Sequence, residues 1–268
     1  MSERGRTGLR AAFAAAAADR RKVLVPYITA GDPDLGVTAD LLDAVVAGGA
    51  DIIELGVPFT DPSADGPVLQ LAAERALLNP LSLGDLLGLV AAFRKRHDTP
   101  LILFGYYNPF HKYGLEALAR DAAAAGVDGV LCVDLPPEEA GPFVGALRGH
   151  GLCLIPLLTP VTPDDRILLA ADLADGFGYY VSVTGVTGSK LGKRGPTAER
   201  VRAVRGLLGA PLVVGFGVRT PDDARAVGEG ADGVVVGSAL VQLAHESEAS
   251  ERNENVREFM ASLSGALG

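Results

Sequence analysis

Short, almost entirely apolar runs alternate along the chain with longer segments whose apolar residues recur at helical spacing. The eight apolar runs cover residues 23–28, 51–57, 101–104, 129–134, 152–157, 178–183, 211–216 and 233–236. Runs of this kind are typical of strands that are buried on both faces, as in a parallel sheet. The Ala- and Leu-rich segments between them, which predict helices, include residues 37–47, 83–96, 115–125 and 221–229.

This alternation predicts one (β/α)8 barrel. Eight strand–helix units in 268 residues fit a closed barrel with right-handed crossovers better than an open sheet. The alternative, an open Rossmann-like sheet, is disfavoured because no G-x-G-x-x-G motif follows the first strand. We therefore predict a single domain over residues 1–268, with residues 1–22 as an N-terminal capping helix and extra helices in the loops after strands 2 and 8.

A Gly-x-Asp repeat supports one barrel over two domains. It ends three predicted helices just before a strand, at residues 49–51, 126–128 and 230–232. Its glycine suits a helix C-cap with positive φ. The repeat is short, so it adds only a little weight to the fold prediction.

Composition disfavours some classes of binding partner and some cellular locations. The net charge is −9 and the Lys and Arg residues are dispersed, which disfavours nucleic acid as a partner. Charged residues interrupt the apolar runs before the roughly 18 residues that a membrane span needs. The apolar residues 12–18 are followed directly by Asp-Arg-Arg, unlike a signal peptide, so we predict a cytoplasmic protein. Cys132 and Cys153 lie in apolar runs and are expected to be inert and buried.

One ionisable residue, Glu54, lies inside the second apolar run, residues 51–57. Burying a carboxylate costs several kcal/mol unless the group is paired, protonated or functional. Loss of solvation raises the pKa of such a group, which suits a general acid or base near neutral pH. The structural alternative is a carboxylate that only accepts hydrogen bonds inside a barrel layer.

Two more carboxylates follow in the loop after this run. Asp65 belongs to the same βα unit as Glu54, so the two groups are able to face one ligand from different directions. The alternative role of Asp65 is to cap a helix that begins at the Gly-Pro pair of residues 66–67. For Asp61, which precedes a proline, turn formation explains the residue at least as well as catalysis.

Glycines cluster at three predicted strand ends, at residues 185–188, 215–217 and 237–238. A glycine lets backbone N–H groups approach an anion closely, and Ser238 is placed to begin a short helix whose positive end faces that anion. The ends of strands seven and eight are the favoured phosphate position in such barrels. Each glycine alone more often marks a turn, but together they predict a phosphate site. The long loops of residues 58–82 and 185–195 are candidate lids.

Other catalytic chemistries have little support in the sequence. The four histidines are scattered and lack ligand-like spacing, which disfavours a metal site: His97, His111, His150 and His245. No Ser-His-Asp or Cys-His pattern is present, and no lysine is buried in a strand to form a Schiff base. The remaining chemistry is proton transfer by carboxylates.

Two motifs closely resemble the tryptophan synthase alpha chain family. They are LVPYITAGDP at residues 24–33 and ELGVPFTDPSADGPVLQ at residues 54–70, of which the second is highly specific. Further segments agree with the family in order and spacing, at residues 106–109, 133–137, 179–188, 215–218 and 237–238. The resemblance covers nearly the whole chain. It implies a lyase of tryptophan biosynthesis that cleaves indole-3-glycerol phosphate into indole and glyceraldehyde 3-phosphate.

The resemblance also implies roles for individual residues. Glu54 protonates indole C3 and accepts the proton of the glycerol hydroxyl, while Asp65 stabilises the charged indolenine through its ring nitrogen. The positions that match the indole pocket are Tyr27, Leu131, Tyr179, Phe216 and Val235, for each of which ordinary barrel core is the alternative. The positions that match the phosphate cradle are Gly188, Gly217, Gly237 and Ser238. Thr187 matches the loop residue that orders the catalytic carboxylate.

A partner is implied by the resemblance alone. It is the pyridoxal-phosphate-dependent beta chain, which receives indole through a tunnel in an alpha2beta2 assembly, whereas the alpha reaction itself needs no cofactor. The contact face is expected at residues 108–109, 134–136 and the lid after Glu54, with Asp61 in the communicating loop. Thr60, Ser63 and Val183 depart from the commoner family residues, which bears on loop coupling and not on the reaction.

Two other functions remain open at this point. One is a different phosphate-binding barrel, such as a sugar-phosphate epimerase or a flavin-linked oxidase; an epimerase of that kind needs strand-end metal ligands, which are missing from the sequence pattern. The other is a catalytically silent barrel that only binds and activates a beta-like partner. Intact Glu54 and Asp65 argue against the silent barrel.

Overall fold

Nine short parallel strands form one curled sheet in the computed structural model, which describes residues 4–181, 198–215 and 217–268. Their order across the sheet is β5-β4-β3-β2-β1-β9-β8-β7-β6. The strands are β1 (Val23–Thr29), β2 (Ile53–Gly56), β3 (Leu101–Gly105), β4 (Gly129–Cys132), β5 (Cys153–Leu154), β6 (Leu157–Leu158), β7 (Gly178–Val181), β8 (Leu212–Gly215) and β9 (Gly233–Val236).

Helices follow the strands as a parallel barrel requires. They are α1 (Arg4–Ala18), α2 (Leu35–Ala47), α3 (Pro67–Ala76), α4 (Leu83–Phe93), α5 (Tyr107–Tyr113), α6 (Leu115–Ala125), α7 (Gly141–Gly149), α8 (Asp164–Ala171), α9 (Ala198–Leu208), α10 (Pro221–Gly228), α11 (Ser238–Glu246) and α12 (Arg252–Ser264). The predicted barrel, its added N-terminal helix and the extra helices after the second and last strands are confirmed. The short helix α5 after β3 was not predicted.

The sequence predicts one strand over residues 152–157, which the structure divides into β5 and β6. The barrel closes at this divided strand. The first half, β5, pairs with β4, and the second half, β6, pairs with β7. Between them, Ile155 N–H donates to Val130 O at 2.9 Å and Pro156 O accepts from Tyr179 N–H at 3.0 Å. Because Pro156 has no N–H, the hydrogen-bond ladder is interrupted there. The two ends of the sheet are thus joined through the chain itself.

Side chains fill the barrel, and α1 covers its lower end. The strands contribute a fully buried interior that includes Val23, Val25 and Ile102. Leu9 and Phe13 of α1 pack into the same cluster. The outward-facing strand residues pack instead against the surrounding helices in a second, larger core. The described residues contain no helix that is both long enough and apolar enough to span a membrane.

The Gly-x-Asp repeat has a structural explanation. Each aspartate lies just before a strand. Its carboxylate accepts a hydrogen bond of 2.8–3.0 Å from a backbone N–H at the start of the neighbouring strand, and it also pairs with an arginine. The three sets are Asp51 with Leu24 and Arg21, Asp128 with Leu101 and Arg94, and Asp232 with Leu212 and Arg205. The repeat therefore ties neighbouring strands together at the lower end of the barrel, the face associated with stability and not with catalysis.

Candidate active site

Glu54 lies on β2, where its strand neighbours are Tyr27 on β1 and Ile102 on β3. The residue is 0% exposed, and neither carboxylate oxygen has a hydrogen-bond partner among the described residues. Burial raises the pKa of Glu54 well above its ordinary value. The structural alternative, a carboxylate held by hydrogen bonds in a barrel layer, finds no donors in the described part of the chain.

Asp65 lies in the loop between β2 and α3 and shares its surroundings with Glu54. The charges of both carboxylates, added to the larger effect of burial, raise the pKa of Tyr27 and Tyr179. Burial raises the pKa of Asp65 itself to about 6. The alternative role of Asp65 as a helix cap is not observed, because Gly66 occupies the N-cap position of α3.

Tyr106 anchors this loop, a role that the sequence analysis missed. The side chain is 3% exposed, and its hydroxyl accepts a hydrogen bond from Ala64 N–H at 3.0 Å. The same hydroxyl hydrogen-bonds the Asp65 carboxyl group, which lowers the pKa of Asp65 against the larger effect of burial. Its ring packs against Phe59 with centroids 5.3 Å apart. The only sequence signal was the match of residues 106–109 to the family motif.

Three aromatic rings line the upper barrel beside Glu54. The Tyr27 and Phe104 rings meet edge to face with centroids 5.2 Å apart, and the Phe104 and Tyr179 centroids are 6.4 Å apart. Leu131 and Val235 lie in the same interior cluster as Tyr179 and are 0% and 4% exposed. Phe104 was predicted only as a strand residue, because periodicity alone does not show which strand residues reach the open end. Flat apolar walls of this kind suit a planar aromatic ligand.

Two strand glycines make room for the tyrosines. A Cβ atom on Gly56 would lie 2.1 Å from the Tyr27 hydroxyl, and one on Gly215 would lie 2.4 Å from the Tyr179 hydroxyl. Both distances are far below van der Waals contact, so any larger residue would push these rings out of position. The sequence analysis assigned the glycines near residue 215 to phosphate binding, and Gly215 also serves this packing role.

Two residues of the predicted phosphate cradle, Gly237 and Ser238, lie at the start of α11. Gly237 is the N-cap of this nine-residue helix and Ser238 is its first residue. A Cβ on Gly237 would lie 3.7 Å from Tyr27 Cβ, which puts the helix start beside the aromatic pocket. The first N–H groups of a helix lack intrahelical acceptors and attract anions. Gly217, with φ of 51°, has open space where a side chain would stand.

Thr187, Gly188 and Phe216 lie outside the described residues, as do Val183 and the candidate lid of residues 185–195.

Asp61 is exposed and accepts a hydrogen bond from the Thr60 hydroxyl at 2.6 Å. Ser63 N–H donates to Asp61 O at 2.8 Å, so the turn-forming interpretation of Asp61 is supported.

Histidine and cysteine side chains lie away from the pocket. His97 contacts Asp43 and His150 contacts Glu116, each at 2.8 Å. Among the described residues, no group of three or more His, Cys, Asp or Glu side chains is arranged to hold a metal ion. Cys132 and Cys153 are free and buried, as predicted.

Known proteins resemble this chain in sequence and in structure. Residues 13–266 match the family profile described as tryptophan synthase alpha chain. The tryptophan synthase alpha chain of Geobacter sulfurreducens is 51% identical over 256 residues, covering 96% of this chain and 97% of the relative. The crystal structure of tryptophan synthase subunit alpha from Legionella pneumophila str. Paris aligns with a TM-score of 0.88 at 38% identity, covering 97% of this chain and 98% of that one.

A chain in the crystal structure of the tryptophan synthase complex from Pyrococcus furiosus is also similar. It aligns with a TM-score of 0.83 at 37% identity, covering 91% of this chain and 99% of that one. The chain therefore belongs to the tryptophan synthase alpha chain family.

Proposed function

We propose that this chain is a carbon–carbon lyase that cleaves indole-3-glycerol phosphate into indole and glyceraldehyde 3-phosphate, with Glu54 as general acid and base. One observation carries the proposal: a buried carboxyl group without a hydrogen-bond partner in the described part of the chain stands beside an aromatic pocket. Burial raises the pKa of Glu54, which favours the protonated form that a general acid needs. Family membership supports the same reaction.

In the first step Glu54 transfers its proton to indole C3. This carbon becomes sp3, and positive charge develops at the ring nitrogen. Asp65, with a pKa of about 6, is mostly ionised at pH 7 and stabilises that charge through the ring N–H. The proposal thus gives two carboxyl groups of one βα unit different roles, with Glu54 as the acid and Asp65 as the electrostatic stabiliser.

In the second step the carbon–carbon bond breaks. Glu54, now ionised, accepts the proton of the glycerol hydroxyl on the carbon that is bonded to C3. The C–O bond becomes a carbonyl, the bond to C3 breaks, and its electron pair returns to the ring to neutralise the nitrogen. Atoms and electrons balance without water or an oxidant, so we propose that the alpha reaction needs no cofactor and that pyridoxal phosphate belongs to the partner chain.

We assign the two ends of the substrate to two different walls of the pocket. We assign the indole ring to Tyr27, Leu131, Tyr179 and Val235, with Phe104 added from the structure. The phosphate is assigned to Gly217 after β8 and to Gly237 and Ser238 at the start of α11. Close approach of this helix start to Tyr27 supports a single ligand that spans both walls. Thr187, Gly188 and Phe216 keep their proposed roles from the family resemblance.

A beta chain is the proposed partner, and the cytoplasm is the proposed location of this chain. Tyr107 N–H donates to the Asp134 carboxylate at 2.7 Å, so residues 108–109 and 134–136 lie on one continuous surface. Beside it is a pocket of about 430 Å³ lined in part by Pro58, Leu77 and Pro109. Pro58 follows the β2 strand that carries Glu54, which supports communication between this surface and the catalytic loop.

Indole release from indole-3-glycerol phosphate tests the function. We expect the purified chain to release indole slowly, and a tryptophan synthase beta chain to accelerate the release. The alternative, a silent barrel that only activates its partner, predicts no release by the isolated chain but faster beta-chain turnover. Failure of the folded chain to release indole in both conditions would contradict the proposed reaction.

Tyr106→Phe tests whether the Tyr106 hydroxyl lowers the pKa of Asp65. The Tyr106 hydroxyl lowers the pKa of Asp65, so its loss raises that pKa above about 6 and less Asp65 is ionised at pH 7. We therefore expect the acidic limb of the kcat/KM profile to move to higher pH, with activity recovering above pH 8. The matched control is Tyr113→Phe, which removes a tyrosine–aspartate hydrogen bond of 2.9 Å outside the site. An unshifted profile in Tyr106→Phe would exclude this role.

A further inference from the structure

A second cavity lies outside the barrel, between β1 and the helices α2, α11 and α12. Its volume is about 270 Å³, just below the roughly 300–1,000 Å³ of drug-sized ligand sites, so its occupant must be small. Most of the wall is aliphatic and is formed by Ile28, Leu41, Val45, Leu240 and Val256. Apart from Tyr27, none of the described residues assigned above to the active site lines this cavity.

The charged groups on the wall leave a positive excess. Asp32 is the only carboxylate among the described lining residues, and Arg75 binds both of its oxygens at 2.8 and 2.6 Å. Arg252 is half-buried and donates its Nε–H to Ala244 O at 2.8 Å. No carboxylate in the described part of the chain pairs with Arg252, so its two terminal NH2 groups are available. His245 stands on the same wall.

We propose that this cavity binds a small amphipathic monocarboxylate. The alkyl chain packs among the aliphatic side chains, and the carboxylate accepts hydrogen bonds from the terminal nitrogens of Arg252. A guanidinium presents two parallel donors that match a carboxylate, and such charge-assisted bonds are stronger than neutral ones. The apolar wall disfavours a multiply charged ligand such as a phosphate ester, because most of that ligand would lose its hydration without gaining a partner.

Titration of octanoate and octan-1-ol tests the charge argument. We expect saturable 1:1 binding of octanoate in calorimetry, about tenfold tighter than octan-1-ol. Arg252→Gln weakens octanoate binding about tenfold and leaves octan-1-ol binding unchanged. The matched control is Arg202→Gln, because Arg202 also donates Nε–H to a helix carbonyl, Ala198 O at 3.3 Å, but does not line the cavity.

A second variant tests the location. Val37 is partly exposed and lines the cavity, so Val37→Phe fills space without replacing a fully buried residue. It weakens binding of both probes if they occupy this cavity. Octanoate binding that is unchanged in Arg252→Gln and in Val37→Phe, both folded by circular dichroism, would overturn the proposal. So would the absence of saturable binding to the wild-type chain. Neither outcome bears on indole release, so the two proposals stand or fall separately.

Discussion

Glu54→Gln is expected to lower kcat for indole release by about 10²–10⁴-fold, the usual contribution of a general acid or base. Glutamine keeps the size of the side chain but neither delivers a proton to indole C3 nor accepts one from the glycerol hydroxyl. The fold should be retained, because both Glu54 oxygens lack hydrogen-bond partners among the described residues and the substitution breaks no such bond. The measurement is steady-state indole release by the isolated chain.

The control for this experiment is Glu74→Gln. Glu74 is exposed on α3, away from the pocket, and its replacement makes the same change from a carboxyl group to an amide. We expect its kcat to match the wild-type value. Binding of glyceraldehyde 3-phosphate should survive in Glu54→Gln, since the phosphate is assigned to the start of α11. Near-normal turnover by Glu54→Gln would disprove the catalytic assignment.

Asp128→Ala is expected to lower the free energy of unfolding by about 3–5 kcal/mol, the usual effect of breaking a buried ion pair. The Asp128 side chain is 1% exposed and accepts hydrogen bonds from Arg94 at 2.5 Å and from Leu101 N–H at 2.8 Å. Its removal takes one carboxylate partner from a guanidinium that is 8% exposed. Because whole domains are stable by only about 5–15 kcal/mol, the midpoint of urea unfolding should fall sharply.

Asp232→Ala is the matched control. Asp232 occupies the same Gly-x-Asp position and makes the corresponding bonds to Leu212 N–H and Arg205, but its side chain is 31% exposed. An exposed ion pair contributes about 0–1 kcal/mol and a hydrogen bond about 1 kcal/mol, so the expected loss is about 1–2 kcal/mol. Equal losses in the two variants would show that burial does not set the strength of this repeat.

The fold was largely predictable because its signals are local. A parallel strand buried on both faces is apolar at every position, so β1, β8 and β9 stand out without knowledge of their neighbours. The division of the fifth strand was missed, since it depends on Pro156 lacking an N–H where the ladder passes from one neighbour to another. The role of the Gly-x-Asp repeat was missed for a similar reason, because its carboxylates bond to residues about 20 to 30 positions away along the chain.

Some residues of the candidate site were predicted from the sequence, and others were missed. Glu54 was found because a charge inside an apolar strand conflicts with burial, and this conflict is visible in the sequence. Tyr106 and Phe104 were missed because aromatic residues at strand ends are common, and only the fold brings Tyr106 to Ala64 across 42 positions. The cavity beside Arg252 gave no sequence signal, since its walls come from distant segments.

The sequence by itself determined the order of strands and helices, the family and the carboxylate in the second strand. These follow from periodicity, turn chemistry and the cost of burying charge, which act within a few residues. Tertiary structure decided the surroundings of each group: the burial of Glu54, the anchoring of the Asp65 loop by Tyr106 and the rings that face the pocket. Contacts between distant segments set these environments, because burial and electrostatics depend on three-dimensional neighbours and not on position along the chain.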